Sequence, residues 1–263
     1  MKFAGIIAEY DPFHNGHAWQ LAQAKALGAE RVAVAMSCSL VQRGALPLLP
    51  EAVRTRSALT CGADLVFALP APCACAGAEA FARAGVALLA AAGCDGLVFG
   101  AETPDAALLM EAAELLDSGS YRAALKAQLA GGARSFAAAR QAAAAQLASD
   151  ERVAALLDKP NNNLAVEYCR AIRSLAPRME AYPLPRQGAN HGEALHSAHG
   201  QFASASALRK LWAEGGADAV APYVPEAVFP LYQEAYAAGQ YTDFSAAGRC
   251  ELALLRSACR GKA

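Results

Sequence analysis

Two histidines three residues apart, His14 and His17, follow an apolar run that closes in a proline-bearing turn, Glu9-Tyr10-Asp11-Pro12. Gly16 lies between them, and a helical pattern continues from Ala18 to Leu27. The first amides of a helix have no partner within it, so together they attract an anion, and a glycine there admits a phosphate close to the backbone. Imidazoles beside such amides suit the α- and β-phosphates of a nucleotide whose α-phosphorus is under attack. The chemistry implied is adenylyl transfer. A His-x-x-His spacing also fits two unrelated surface histidines, and the strand–turn–helix context is what favours the phosphate site.

A turn of this kind needs a scaffold. Phe3–Glu9, Arg31–Met36, Leu65–Leu69 and Gly96–Phe99 read as short buried strands, with helical patterns between them at about 16–27, 50–61 and 76–92. Alternation of this kind predicts an α/β fold, a parallel sheet with helices on both faces. Ligands of such sheets bind beyond the carboxyl ends of the strands, which places Asp11–His17, Met36–Gly44, Pro70–Pro72 and Gly100–Glu102 on one rim. Residues 104–157 read as helices broken near Gly119 and Gly131-Gly132. An asparagine of Asn161-Asn162-Asn163 is expected to cap the helix that runs to about Leu175. Met179–Pro183 reads as a further strand, Pro185–Gln201 as a polar loop and Ser204–Ala213 as a helix. About 216–263 reads as a small helical tail.

Composition narrows the class. Hydrophobic residues are 55% of the 263, so a sizeable core needs no disulfides. Much of that fraction is alanine, which predicts close helix–sheet contact rather than a bulky aromatic core. No apolar run is long enough to span a bilayer, and no membrane association is expected. Cys73-Ala74-Cys75 is the one close pair among eight cysteines, which reads as incidental thiols in a reducing cytoplasm. The net charge of −1 gives no general pull toward nucleic acid. Locally, Arg122, Lys126, Arg134 and Arg140 form one basic cluster, and Arg170, Arg173, Arg178 and Arg186 another. Either could follow a phosphate backbone or be a solvated helix face. His191, His196 and His199 match no firm ligand spacing, so no metal site is expected there.

Six segments in order then resemble one family. Gly5–His17 resembles "GIIAEYNPFHNGH", and Met36-Ser37 with Val41–Gly44 resembles "MSGNFVQRG". Gly62–Val66 with Leu69-Pro70 resembles "GADLVIELP", Phe99–Glu102 resembles "FGSE", Lys159–Tyr168 resembles "KPNNILGIEY" and Ser204–Lys210 resembles "SATAIRK". The chain is similar over residues 1–212 to the tRNA(Met) cytidine acetate ligase family of bacterial nucleotidyltransferase-like enzymes.

The resemblance implies a Rossmann-like nucleotidyltransferase (HUP-type) domain over 1–212, with a short helical segment over 213–263. It implies that ATP, accompanied by Mg2+, turns acetate into acetyl-adenylate, and that the acetyl group passes to N4 of the wobble cytidine of elongator methionine tRNA. By position it gives catalytic roles to His14, His17 and Arg209. Nucleotide contacts fall to Ile7, Ala8, Glu9, Tyr10, Phe13, His14, Gly16, His17, Gly100, Asn161, Asn162, Arg186, Gln187 and Ser204. Departures from the pattern leave open a nucleotidyltransferase acting on a different small substrate, or a non-catalytic nucleotide- or RNA-binding relative. Asp11 stands for an asparagine, Cys38-Ser39 for Gly-Asn and Ala68 for a glutamate. Pro50–Arg54 stands for "DKWTR", with Glu51 in place of a lysine. The family pattern also runs on past Ala263 through a helical region with a late Lys-Arg-Tyr-Thr motif.

Overall fold

Side chains that alternate along a strand face opposite sides of a sheet, and here both sides are apolar. The computed structural model describes residues 1–132, 135–186 and 202–260. Its strands are β1 (Phe3–Ala8), β2 (Arg31–Ser37), β3 (Leu65–Leu69), β4 (Gly96–Ala101) and β5 (Glu180–Pro185). They pair in parallel in the order β3-β2-β1-β4-β5. The expected α/β sheet is present, and its strands match the predicted ones to within two residues.

Each face builds its own core. Ile7, Ala33, Ala35, Leu97 and Phe99 point to one side. There they meet α4 (Ala78–Ala91), α5 (Ala106–Asp117), α6 (Gly119–Ala130), α7 (Phe136–Leu147), α8 (Glu151–Leu156) and α9 (Pro160–Leu175). Ala4, Ile6, Val32, Val34, Met36 and Val98 point to the other side. Their neighbours are α1 (Asn15–Ala26), α2 (Glu51–Thr60), α10 (Ala205–Val220) and α11 (Phe229–Ala237). Between β3 and α4 lies a one-turn helix, α3 (Ala71–Ala74), and α12 (Phe244–Arg260) ends the described chain. Contact between layers is close: a Cβ at Gly85 of α4 would fall 2.6 Å from Ile7 Cδ1, and one at Gly5 of β1 would fall 2.8 Å from Leu89.

Strand order reverses direction between β1 and β4. Crevices in open parallel sheets form at that switch, outside the carboxyl ends of the strands. The segment after β1 carries the histidine turn, and the segment after β4 carries Glu102 and Thr103.

Two sequence expectations change. The helix after Lys159 has no asparagine cap: Lys159 is the N-cap, Pro160 opens the helix, and the asparagines lie within its first turn. Proline suits that first position because the amide it lacks would have been unpaired. The helix expected to reach Ala213 continues to Val220, through a kink at Gly216 where φ is 67°.

Candidate active site

After β1 the chain reverses through a turn in which Tyr10 adopts φ 51° and the Asp11–Pro12 peptide is cis. His14 is the N-cap of α1, and its Nδ1 accepts the Gly16 amide at 3.0 Å. The His14 amide in turn donates to Nδ1 of His17 at 3.3 Å. The two imidazoles thus form the reciprocal cap usually made by a serine and a glutamate. A ring nitrogen that accepts a hydrogen bond carries no proton, so both rings bear their hydrogen on Nε2.

The rings stack with centroids 3.8 Å apart and planes 23° from parallel. Tyr10 and Phe13 enclose His17 at 4.8 and 5.6 Å. Desolvation pushes His14 down to about 3, aided by the Arg186 guanidinium. His17 is held well below the usual histidine range by desolvation, then by His14 and Arg186. The pair is neutral at physiological pH and keeps two Nε2–H donors outside the cap. A Cβ on Gly16 would stand 2.9 Å from His14 Cε1, so the glycine makes room for the imidazole itself.

The turn is fastened from four directions. Arg54 of α2 is fully buried and donates to the carbonyls of Leu49 (3.0 Å), Glu9 (2.7 Å), Ser37 (2.7 Å) and Cys38. It thereby joins the ends of β1 and β2. Glu9 accepts the Gln42 amide at 2.5 Å, and burial raises its carboxyl above the ordinary range. Arg209 of α10 donates from Nη1 to the Asp11 carbonyl at 2.6 Å and to Asp11 Oδ2 at 3.1 Å. Tyr232 of α11, wholly buried, donates its hydroxyl to the Phe13 carbonyl at 2.7 Å.

A second polar chain crosses the switch. Glu102, just past β4, accepts the Asn161 amide at 3.2 Å and the Asn162 amide at 2.6 Å, filling the role of the missing cap on α9. The Asn161 side chain donates to Glu102 at 2.6 Å and accepts Arg186 Nη1 at 2.6 Å. Asn162 is 1% exposed and spends both ends of its amide on Thr103. A Cβ on Gly100 would meet Arg186 Cγ at 3.4 Å.

A family model described as HIGH Nucleotidyl Transferase matches residues 1–257. The chain belongs to this family. The HIGH nucleotidyl transferase fold recurs in a crystal structure of Thermotoga maritima TmcAL bound with alpha-thio ATP. That chain has TM-score 0.82 and 30% identity over 92% of this chain and 57% of its own length. The apo form of the same protein gives TM-score 0.85 at 31% identity. The tRNA(Met) cytidine acetate ligase of Syntrophotalea carbinolica is 41% identical over 82% of this chain and 52% of its own length. That of Caldanaerobacter subterraneus is 35% identical over 91% and 60% respectively. This HIGH nucleotidyl transferase therefore spans little more than half the length of these curated relatives.

Of the residues singled out in the sequence, His14, His17, Gly16, Arg186 and Asn161 lie together at the switch, with Glu9 on the same turn and Arg209 of α10 bonded to that turn through Asp11. Ile7, Tyr10 and Phe13 bury their side chains in the cores, so a nucleotide could meet only their main chain. Ala8 ends β1, half-buried. Ser204 caps α10, accepting the Ala207 amide at 3.3 Å. Gln187, His191, His196 and His199 lie outside the described residues. Among the described residues no group of three or more His, Cys, Asp or Glu could hold a metal ion, and no helix is long and apolar enough to cross a membrane. Sequence reasoning assigned no role to Arg54, Glu102 or Tyr232. Glu102 carried a signal in its place just after a strand end, Arg54 matched the arginine of the resembled "DKWTR", and Tyr232 sits on a helix with nothing local to mark it.

Proposed function

We propose that this chain activates acetate with ATP and transfers the acetyl group to N4 of the wobble cytidine of elongator methionine tRNA. The observation that carries the reading is the neutral, backbone-locked pair His14 and His17 at the N-terminus of α1, beside Arg186 and at the switch between β1 and β4. The names of its relatives and the nucleotide-bound state of one of them point the same way.

Acetate is already a nucleophile, so the protein needs to place it in line with the α-phosphorus and counter developing charge. A carboxylate oxygen bonds to phosphorus, the bridge to the β-phosphate breaks, and pyrophosphate leaves. The two Nε2–H groups donate to oxygens on which that charge grows, and Arg209 with the α10 N-terminus at Ser204 meets the departing pyrophosphate. In the second half, the cytidine amine attacks the acetyl carbonyl, AMP leaves and the nitrogen loses a proton. Arg186 and Asn161 would hold the nucleotide against Gly100, while Asn162 shapes the segment through Thr103. Mg2+ would be carried by the phosphates and supply charge neutralisation there.

The test is acetate-dependent exchange of pyrophosphate into ATP, followed by acetylation of unmodified methionine tRNA. Replacing His17 by alanine should lower exchange by about 10²–10³, the usual cost of one preorganised donor. Exchange that needs another carboxylate in place of acetate would reassign the substrate.

A further inference from the structure

Asp11 occupies a position where the resembled motif has asparagine, and its carboxylate joins two elements distant in sequence. It is 5% exposed. Oδ1 accepts the Leu48 amide at 2.6 Å, and Oδ2 accepts Arg209 Nη1 at 3.1 Å. Both oxygens are acceptors, one for each donor. An amide side chain has one acceptor oxygen, so it could serve either Leu48 or Arg209 and would turn its own N–H toward the other. With an asparagine oxygen on the Leu48 amide, Arg209 Nη1 would keep only the main-chain carbonyl of residue 11, at 2.6 Å. Aspartate adds a side-chain partner for it without releasing the loop.

The surroundings make this pairing specific. The loop that carries Leu48 is fixed on its far side, where Thr242 donates its amide to the Leu48 carbonyl at 2.8 Å and its hydroxyl to Pro47 at 2.6 Å. Arg54 is committed to four carbonyls, and Glu9 to Gln42. Arg209 is the cation that directly pairs with the Asp11 carboxylate, and its side chain remains 32% exposed. One nitrogen of the guanidinium is thus anchored while the group still reaches the surface.

We propose that Asp11 is a positioning residue for Arg209, its carboxylate holding the guanidinium beside the histidine turn so that the cation stands ready for departing pyrophosphate. The proposal rests on the adenylation reading above. It predicts a cost in turnover rather than in nucleotide affinity, because a cation tethered by one carbonyl alone still attracts ATP but meets the transition state less well placed.

A double-mutant cycle decides it. Asp11→Asn should leave the ATP dissociation constant within about threefold and lower kcat for pyrophosphate exchange by about 10- to 10²-fold, the scale of a misplaced group. Combined with Arg209→Ala, Asp11→Asn should cost nothing further, since the partner it positions is gone. An undiminished kcat in Asp11→Asn, or a full additional loss in the double variant, overturns the proposal. If Asp11→Asn does not fold, Asp11→Glu probes the same contact: a lower kcat at unchanged ATP affinity that disappears in the Arg209→Ala background supports it, and full kcat rejects it. Nitrogen-15 NMR of the free protein separates this from the substrate reading. Slow Arg209 guanidinium rotation in the wild type, released in Asp11→Asn, supports the pairing, and free rotation in the wild type ends it. Absence of acetate-dependent exchange in the wild type would remove the adenylation reading while that NMR signature still decided the pairing.

Discussion

An imidazole that accepts a backbone amide at Nδ1 loses that bond if a proton arrives there, and His14 and His17 both accept one. Protonating both would also set two cations in rings 3.8 Å apart. Two consequences follow for pH. Activity has no loss from these groups as pH falls through the ordinary histidine range, so the acid limb of the exchange rate should lie well below 6.5. Stability behaves differently, because in the unfolded chain the same rings titrate at the ordinary value. Between that value and about 3 for His14, the unfolded state binds more protons than the folded one. The stabilisation is complete above pH 6.5 and is lost progressively as pH falls toward the folded value. Thermal melts from pH 8 to 4 should show this decline, and His14→Gln should flatten it. An unchanged slope in that variant would move the effect to other groups. The spacing of the histidines was legible in the sequence; the identity of their cap partners was not. A residue's type says that it can accept a hydrogen bond, and only the turn decides from whom. For Asn162 the same limit applied: its amide suited a nucleotide by type, yet burial commits it to Thr103.

Strands and most helices were legible because their signals are local, and the short unbroken apolar runs of β1, β2 and β4 stand out between turn residues in the sequence. The start of α9 was not, because its cap comes from a residue 59 positions away. Gly215-Gly216 likewise reads as a helix end. Yet α10 continues through it: at Gly216 a side chain would collide with the Tyr236 ring, 2.6 Å from its Cβ position. The remote cap on α9 also fixes Arg186, since Glu102 orients Asn161 and Asn161 holds Arg186, and on the proposed reading this bears on nucleotide binding. Glu102→Ala should cost about 1–2 kcal/mol in denaturant unfolding, the scale of a lost cap with charged hydrogen bonds. It should also weaken ATP binding measured by calorimetry, because two links to Arg186 loosen together. Unaltered ATP affinity with the expected loss of stability would confine Glu102 to the helix end.

Across the whole molecule, acids on other helices take up much of the charge of the two basic clusters read in the sequence. Glu167 of α9, 3% exposed, meets Arg140 of α7 at 2.5 Å and Arg170 at 2.7 Å. Arg170 also pairs with Asp117 of α5 at 2.8 Å, and Arg173 lies 3.6 Å from Glu114. These arginines tie α9 to its neighbours and have little charge left for a polyanion. Among the described residues, Arg122, Lys126 and Arg178 make no ion pair, and their charge is the portion available to a partner. The distinction was invisible in sequence because the acids that neutralise the clusters come from other helices. It can be measured. Arg140→Ala strands part of a buried carboxylate and should lower unfolding stability by about 1–3 kcal/mol. It should leave the salt dependence of tRNA binding unchanged. A contact that neutralises one phosphate contributes about one unit to the slope of log affinity against log salt. A drop of that size in the Arg140 variant would show that the arginine leaves Glu167 for RNA, so that the α7–α9 pair opens when the partner binds. An unchanged slope with reduced stability would fix Arg140 as part of the frame that holds Asn161 and Asn162 at the mouth of the site.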